Sequence, residues 1–400
     1  MESQKKCLII CYSDLGKDPR VLKHYRALKE AGFETSTAGV SAIGTEMNFT
    51  AIHQFNFTEW LNDFAQRNSV RKFLLSPIVK GLNFYKYKVS RRLYFIRYWN
   101  FRRIIDLISL LTKNANVDLI IANDIETLPL AICLASGKTK VLYDAHEFHE
   151  EQYADKQFWI DYMRPFIIYL NKKYIQRSSF CITIGQNIAN QLVALYHVNF
   201  EVVLNAPPFE NLEPSKRSDS EKIKLVHPGN YMSNRNIEEL IVMMNYLPDN
   251  YELHFLLVAS GAALNQLKEK ARPFKNVLFH PPVGVHEVSH YVNQFDIGVA
   301  LIPATTFNYD NALPNKFFQF IQARLVTAFG PLKEIAAFTK LYNTGIVSEG
   351  YTGLDLANAI KKLSLEEINR FKENNVVNSK LFCEENELVK LKKVYTHLMT

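Results

Sequence analysis

Short apolar runs alternate with longer amphipathic stretches along the whole chain. The run "KCLIICY" (6–12) has strand length and strand composition, and "DPRVLKHYRALKEAG" (18–32) places Val21, Leu22, Tyr25 and Leu28 at helical spacing, with Gly32 as its stop. A second strand follows in "FETSTAGV". Farther on, "VDLIIAND" and "TKVLYDAHE" read as strands separated by the helical "IETLPLAICLASG", and "FCITIG", "NIANQLVALYHV" and "EVVLN" continue the alternation. Strand and helix in strict succession predict a parallel sheet covered on both faces.

The rhythm then breaks. "NAPPFENLEPSKRSDSEK" holds three prolines and a polar, charged tail, the composition of a linker. It restarts with "IKLVHPG", "NIEELIVMMNYL", "ELHFLLVASG", "NVLFHPPV", "VSHYVNQFDIGVALIP", "KFFQFIQARLVTAFG" and "TGIVSEG". The pattern therefore predicts an α/β protein of two Rossmann-like parallel-sheet domains facing a cleft: residues 1–206, a linker over 207–222, and residues 223–383. A last helix over 384–400, with Leu388, Leu391, Tyr395 and Leu398 on one stripe, is expected to cross back to the first domain.

Composition is that of a globular protein: 400 residues, 48% hydrophobic and 22% charged, long enough for two cores. The five cysteines are odd in number and mostly within apolar runs, which points to a reducing cytoplasm. The N-terminus reads as a first buried strand rather than a signal peptide, and no apolar run is long enough to span a bilayer.

Charge is uneven. Residues 64–105 hold eleven Lys and Arg, ten aromatics and no acid, so removing these cations from the net +7 leaves the rest of the chain at −4. Cationic heads interleaved with Phe, Tyr and Trp suit an anionic membrane surface. The alternative is a helical hairpin with aromatics inward and arginines in water. Nucleic acid would attract the same charges but is not the expected partner.

Ligands of open α/β sheets gather at strand carboxyl ends. "YSDLGKDPR" after the first strand is not a dinucleotide-binding glycine fingerprint, and there is no Walker lysine loop and no Asp-x-Asp pair. "VLYDAHEFHEEQY" crowds two histidines and four acids together. His146 and His149 are three apart rather than the four that lets two histidines on a helix grip one zinc. His146 should sit where a strand ends, with Glu147, His149, Glu150 and Glu151 in an exposed first helical turn; a metal cage is the outside reading.

Taken in order, "SDLGKDPRVLKHYRALKEAGFE", "VDLIIANDIETLPLA", "YDAHE", "ITIGQNIANQL", "EVVLNAP", "HPGNYMSNRNIEELI", "LPNKFFQFIQARL" and "EENELVKLKKVY" resemble the retaining family-four glycosyltransferases of the GT-B fold. Only the basic segment stands outside the match. The resemblance implies transfer of a sugar from a nucleotide-sugar donor with retained configuration. It also implies that no metal or other cofactor is needed, with the donor held mainly by the second domain and the acceptor by the first.

It further implies site residues. His146 is expected to face the donor sugar, or else to cap the next helix. Arg235, in "GNYMSNRN", and Lys316, in "LPNK", are expected to neutralise the departing diphosphate, or else to be solvated surface bases. Asn311 and Gln319 stand where the family's acidic motif has two glutamates; amides can still hydrogen-bond hydroxyls but carry no charge. Gly229, Leu313 and Asn315 belong to the same donor loops, Gly261 is expected to allow close approach at the base pocket, and Gly16 to let the first loop approach the donor. Asp124 either orients an acceptor hydroxyl or caps a helix, and Arg20 meets phosphate or acceptor. The expected protein is a cytoplasmic glycosyltransferase, peripheral on the inner face of the cell membrane, acting on a glycan or lipid-linked acceptor in surface polysaccharide or glycoconjugate synthesis. The alternatives are a non-catalytic binder of sugar nucleotides on the same fold, and a non-hydrolysing sugar-nucleotide epimerase.

Overall fold

A computed structural model describes residues 4–42, 44–52, 103–104, 106–108, 110–111, 116–157, 159–215, 222–231, 235–284 and 286–400. The basic aromatic segment, residues 64–105, lies outside them apart from Arg103 and Ile104. The chain divides into two compact units, one of Met1–Ile184, Ile188–Val203 and Leu388–Thr400, the other of Gly185–Asn187 and Leu204–Glu387.

The first unit is built on seven parallel strands: β1 (Lys6–Ile10), β2 (Glu34–Gly39), β3 (Asn48–Ala51), β4 (Leu119–Asn123), β5 (Lys140–Ala145), β6 (Phe180–Thr183) and β7 (Phe200–Val202). Their order is β3-β2-β1-β4-β5-β6-β7, so the winding reverses between β1 and β4. Helix α1 (Pro19–Glu30) begins where Asp18 accepts the amides of Arg20 and Val21, with proline at the first turn, where a missing N–H costs nothing. It ends at Gly32, whose φ of +82° suits glycine. Its buried face differs from the expected stripe: Arg20, Val21, Lys23, His24, Ala27 and Leu28 are buried, while Leu22 and Tyr25 are only partly so. Arg20 and His24 turn inward onto a buried carboxylate, Asp144. Helices α2 (Leu128–Leu134), α3 (Arg164–Tyr174) and α4 (Gln186–Tyr196) complete the alternation.

The second unit carries six parallel strands: β8 (Ile223–Asn230), β9 (Tyr251–Val258), β10 (Val277–His280), β11 (Ile297–Ala300), β12 (Val326–Phe329) and β13 (Gly345–Val347), in the order β10-β9-β8-β11-β12-β13. The switch point here lies between β8 and β11. Helices α5 (Ile237–Met243), α6 (Gly261–Ala271), α7 (Val288–Val292), α8 (Phe307–Asp310), α9 (Asn315–Gln322), α10 (Lys333–Tyr342), α11 (Gly353–Lys361) and α12 (Leu365–Leu381) cover it. Leu225, Leu253, Phe255, Val299, Val326 and Leu356 are among its buried core. The proline-rich stretch after β7 is tied to this unit: the Glu210 amide donates to Gln322 Oε1 at 3.0 Å and the Ser215 hydroxyl to the Phe295 carbonyl at 3.3 Å.

Helix α13 (Glu384–Met399) ends the chain. Its Leu388, Leu391, Val394, Tyr395 and Leu398 share one core with Cys7, Ile9, Val21 and Leu28 of the first unit. No helix among the described residues is long and apolar enough to cross a membrane.

Candidate functional site

In the first unit the carboxyl ends of β4 and β5 gather Asp124, Asp144, His146 and His149. Asp144 is fully buried. Arg20 grips it through Nε at 2.7 Å and Nη2 at 2.8 Å, while its Nη1 donates to the Val203 carbonyl at 2.5 Å. His24 Nε2 lies 2.7 Å from the same carboxylate, and its Nδ1 lies 2.6 Å from the Tyr395 hydroxyl. Burial opposes ionisation of Asp144; Arg20 beside it, with His146 and His24, outweighs that and holds the carboxyl well below the usual range. The expectation that Arg20 meets phosphate or acceptor is thus corrected. Its guanidinium is buried and fixed on Asp144 and Val203, so it braces the strand tips instead.

Asp124 follows β4 with φ +66°, a left-handed conformation costly for most side chains but tolerable for Asp. Its carboxylate meets His149 Nε2 at 2.9 Å, stands 3.7 Å from His146 Nδ1 and accepts the His146 amide at 3.4 Å. The capping alternative falls: Thr127 precedes α2, donating its hydroxyl to the carbonyls of Asn123 and Asp124. Burial pulls the two histidines down, but Asp124 overrides it and each is raised to about 9. Burial likewise opposes the Asp124 carboxylate, and the two imidazoles hold it down at about 2. His146 directly follows β5, as expected, and its Nε2 is enclosed without a hydrogen-bond partner, 3.7 Å from Asp144 Oδ2.

The turn expected after His146 is there as a short 3-10 turn, His149–Glu151, but it is not exposed. His149 and Glu150 are buried, and the Glu150 carboxylate accepts from Asn171 Nδ2 at 2.9 Å and from the Tyr196 hydroxyl. Among the described residues no group of three or more His, Cys, Asp or Glu side chains is placed to hold a metal ion. Gly16 lies in the short turn Leu15–Lys17, where its amide donates to Asp14 Oδ1 at 3.3 Å; its φ is not left-handed.

The second unit holds a cavity of about 420 Å³ at the carboxyl ends of β8 and β9, lined in part by Gly229, Asn230, Arg235, Asn315, Lys316 and Gln319. Helix α9 starts at its wall behind Pro314, and the first amides of a helix have no partner within it. Lys316, in that first turn, sends Nζ to within 3.1 Å of His227 Nε2. His227, on β8, is buried, and its Nδ1 lies 2.7 Å from the Val299 carbonyl. A carbonyl only accepts, so Nδ1 carries the proton and Nε2 offers its lone pair to the lysine. Burial, then the nearby Lys316, hold the imidazole well below its usual pKa. Burial, then Arg235, lower Lys316 to about 7. The Arg235 guanidinium lies over the Tyr309 ring at 5.6 Å from its centroid, and its Nε is buried with no hydrogen-bond partner.

The structure thus brings Gly229, Arg235, Asn315, Lys316 and Gln319 to one cavity, and Asn315 Oδ1 also accepts from Asn205 Nδ2 at 3.0 Å. It does not bring Gly261, Asn311 or Leu313 to that wall. Asn311 is buried, with Nδ2 on the Phe307 carbonyl at 2.8 Å, and so closes α8 rather than facing a ligand. Leu313 is buried, and Gly261 opens α6 with nothing within 4 Å of the position of a Cβ. His227 and Tyr309 were not found from sequence. The available signal for His227 was one polar side chain inside the buried run "IKLVHPG".

No protein-family profile matches the chain, and no curated protein matches it in sequence. Solved structures do match it. Sucrose-phosphate synthase from Thermosynechococcus elongatus gives a TM-score of 0.68 over 99% of each chain, at 11% identity. Anabaena HepE, solved with UDP and glucose, gives 0.64 over 98% of this chain and 99% of its own, at 10% identity. A variant of S. aureus TarM, solved with fondaparinux, α-GlcNAc-glycerol and UDP, gives 0.55 at 13% identity; 74% of this chain matches, spanning 59% of TarM.

The fold is GT-B. At these identities the likeness is one of fold, and it agrees with the two parallel, doubly wound sheets. In this GT-B chain the cavity lies in the second of the two sheet units, beside the switch point after β8.

Proposed function

We propose that the chain is a glycosyltransferase that takes its sugar from a nucleoside diphosphate donor bound in the cavity of the second unit. The observation that carries this reading is the pairing of Lys316 and Arg235 on one cavity wall beside the first turn of α9. A departing nucleoside diphosphate gains negative charge as the glycosidic bond breaks, so stabilisation must come from groups already in place. A cation about 4 Å from that charge contributes on the order of 4 kcal/mol at an effective dielectric near 20. The backbone amides and dipole of a helix start add to the same end.

UDP in the HepE and TarM structures supports a uridine nucleotide as the first ligand to test. Transfer with retention and without a metal is part of the proposal, as is His146 as the hydrogen-bonding contact to a sugar hydroxyl. We assign the acceptor to the lipid-linked glycans of surface polysaccharide synthesis and the place of work to the inner membrane face. The support is the cationic, aromatic composition of residues 64–105.

Isothermal calorimetry with UDP and UDP-sugars tests the cavity. Binding that K316A and R235A each weaken is expected, and no binding by the intact chain defeats the reading. For the membrane part, flotation with anionic liposomes should carry the chain upward at low salt, and neutralising the cations of residues 64–105 should abolish this.

A further inference from the structure

We propose that His227 is a positioning residue of the cavity: it donates Nδ1–H to Val299 and offers Nε2 to Lys316, so that the amine meets a bound diphosphate already ordered. This rests on reading the cavity as a nucleoside diphosphate site. The geometry supports it from three sides. The imidazole is buried on β8 with the Phe255 ring edge-on at 6.1 Å between centroids. Its Nδ1 hydrogen bond to β11, at 2.7 Å, fixes the tautomer, and only that tautomer presents an acceptor to the 3.1 Å contact with Lys316 Nζ. Gly229, two residues on, has φ +123°, and a Cβ there would lie 3.7 Å from Lys316 Nζ, so the lysine side chain ends against this stretch of strand.

The consequence is pre-organisation. A lysine has long, freely rotating bonds, and freezing them on ligand binding costs affinity. With its amine already held against His227, Lys316 loses less freedom when a phosphate arrives. Buried polar groups are normally satisfied inside the protein, and here the pairing of two basic side chains has no fold-building purpose that a leucine would not serve better. Burial and Arg235 lower the affinity of Lys316 for its proton, and this lets it share hydrogen bonding with a neutral imidazole until an anion binds.

The test is a double-mutant cycle on UDP affinity, read by calorimetry. H227N keeps the donor toward Val299 and loses the acceptor for Lys316; H227Q places an amide oxygen near the lost Nε2. Expected are a weakening of about tenfold in H227N, the scale of one immobilised long side chain, recovery in H227Q, and no further loss when H227N is added to K316A. Equal losses from H227N with and without K316A would make His227 a core residue only and overturn the proposal while the nucleotide reading stands. Failure of the unaltered chain to bind UDP would overturn both. Ring nitrogen shifts of His227 by NMR in the unaltered chain give a readout that needs no variant to fold: a proton on Nδ1 is expected, and one on Nε2 sinks the idea.

Discussion

Arg20 and Asp144 form a buried two-point ion pair, with Nε and Nη2 of the guanidinium 2.7 and 2.8 Å from the two carboxylate oxygens. The pair joins the start of α1 to the tip of β5, and His24, also on Asp144, extends it to Tyr395 of α13. Removing one partner leaves the other charge buried without compensation. R20A is therefore expected to destabilise the chain by roughly 3–5 kcal/mol, well beyond a surface arginine such as Arg272. Urea denaturation of the two variants checks this, and equal midpoints would contradict it.

Asp124 sits between His146 and His149, and that contact predicts a pH window. The histidines have raised folded values, about 9, so their contribution is complete below the unfolded value near 6.5 and is lost as pH rises through 9. Asp124 is lowered to about 2, so its contribution is present above its unfolded value near 4 and is lost as pH falls through 2. Asn tolerates the left-handed backbone, so D124N removes charge without adding strain. Thermal melts from pH 6 to 10 should show a fall for the unaltered chain that is much reduced in D124N. Parallel curves for the two would show that the pairing carries no weight.

His146 has Nδ1 and Nε2 each 3.7 Å from a carboxylate, Asp124 and Asp144, and its Nε2 makes no hydrogen bond, whereas His149 Nε2 meets Asp124 at 2.9 Å. H146A should lower sugar transfer by on the order of a hundredfold or more while UDP affinity in the other unit is retained. Steady-state assays with UDP-sugars and membrane extract, alongside calorimetry, separate the two effects. Transfer at the normal rate would remove His146 from the site.

How much of this was legible in the sequence depended on how local each cause is. Strands such as "VDLIIAND" and "ELHFLLVASG" are readable because both faces of a parallel sheet are covered, which makes the whole run apolar. The stop at Gly32 is local chemistry and falls where the pattern put it, while the cap at Asp18, equally local, stands at the first residue of the helical stretch. By contrast, β3, the short and half-polar "NFTA", has no pattern to show and is held by its pairing with β2. The inward turn of Arg20 and His24 is set by Asp144, 124 and 120 residues away. The family resemblance pointed to Lys316 and Arg235, which line one cavity, but His227 takes its meaning from Val299 and Lys316, neither near it in sequence.

Two glycines separate conformational need from mere presence. Gly229 has φ +123° and Lys316 Nζ within 3.7 Å of a would-be Cβ, whereas Gly261 has open space around it at the start of α6. G229A should cost roughly 1–3 kcal/mol of stability through backbone strain at its positive φ. G261A should be neutral or gain up to about 1 kcal/mol, because alanine restricts the unfolded chain. Denaturation of both variants decides the matter, and the reverse ranking would overturn the strain assigned to Gly229.

Lys316 makes the sharpest prediction, because burial and Arg235 lower it to about 7. Of the groups facing it, His227 is held neutral and brings no charge, while the cationic Arg235 opposes the ammonium form. A bound diphosphate does, since opposite charge raises an amine's pKa. At pH 8 the free amine is mostly unprotonated, so binding UDP should draw in close to one proton. Above pH 7, affinity should then fall by about tenfold per pH unit until the raised value in the complex is reached. Calorimetry in two buffers of different ionisation enthalpy measures the uptake directly. K316A should abolish it, and uptake that persists in that variant would assign the proton to another group.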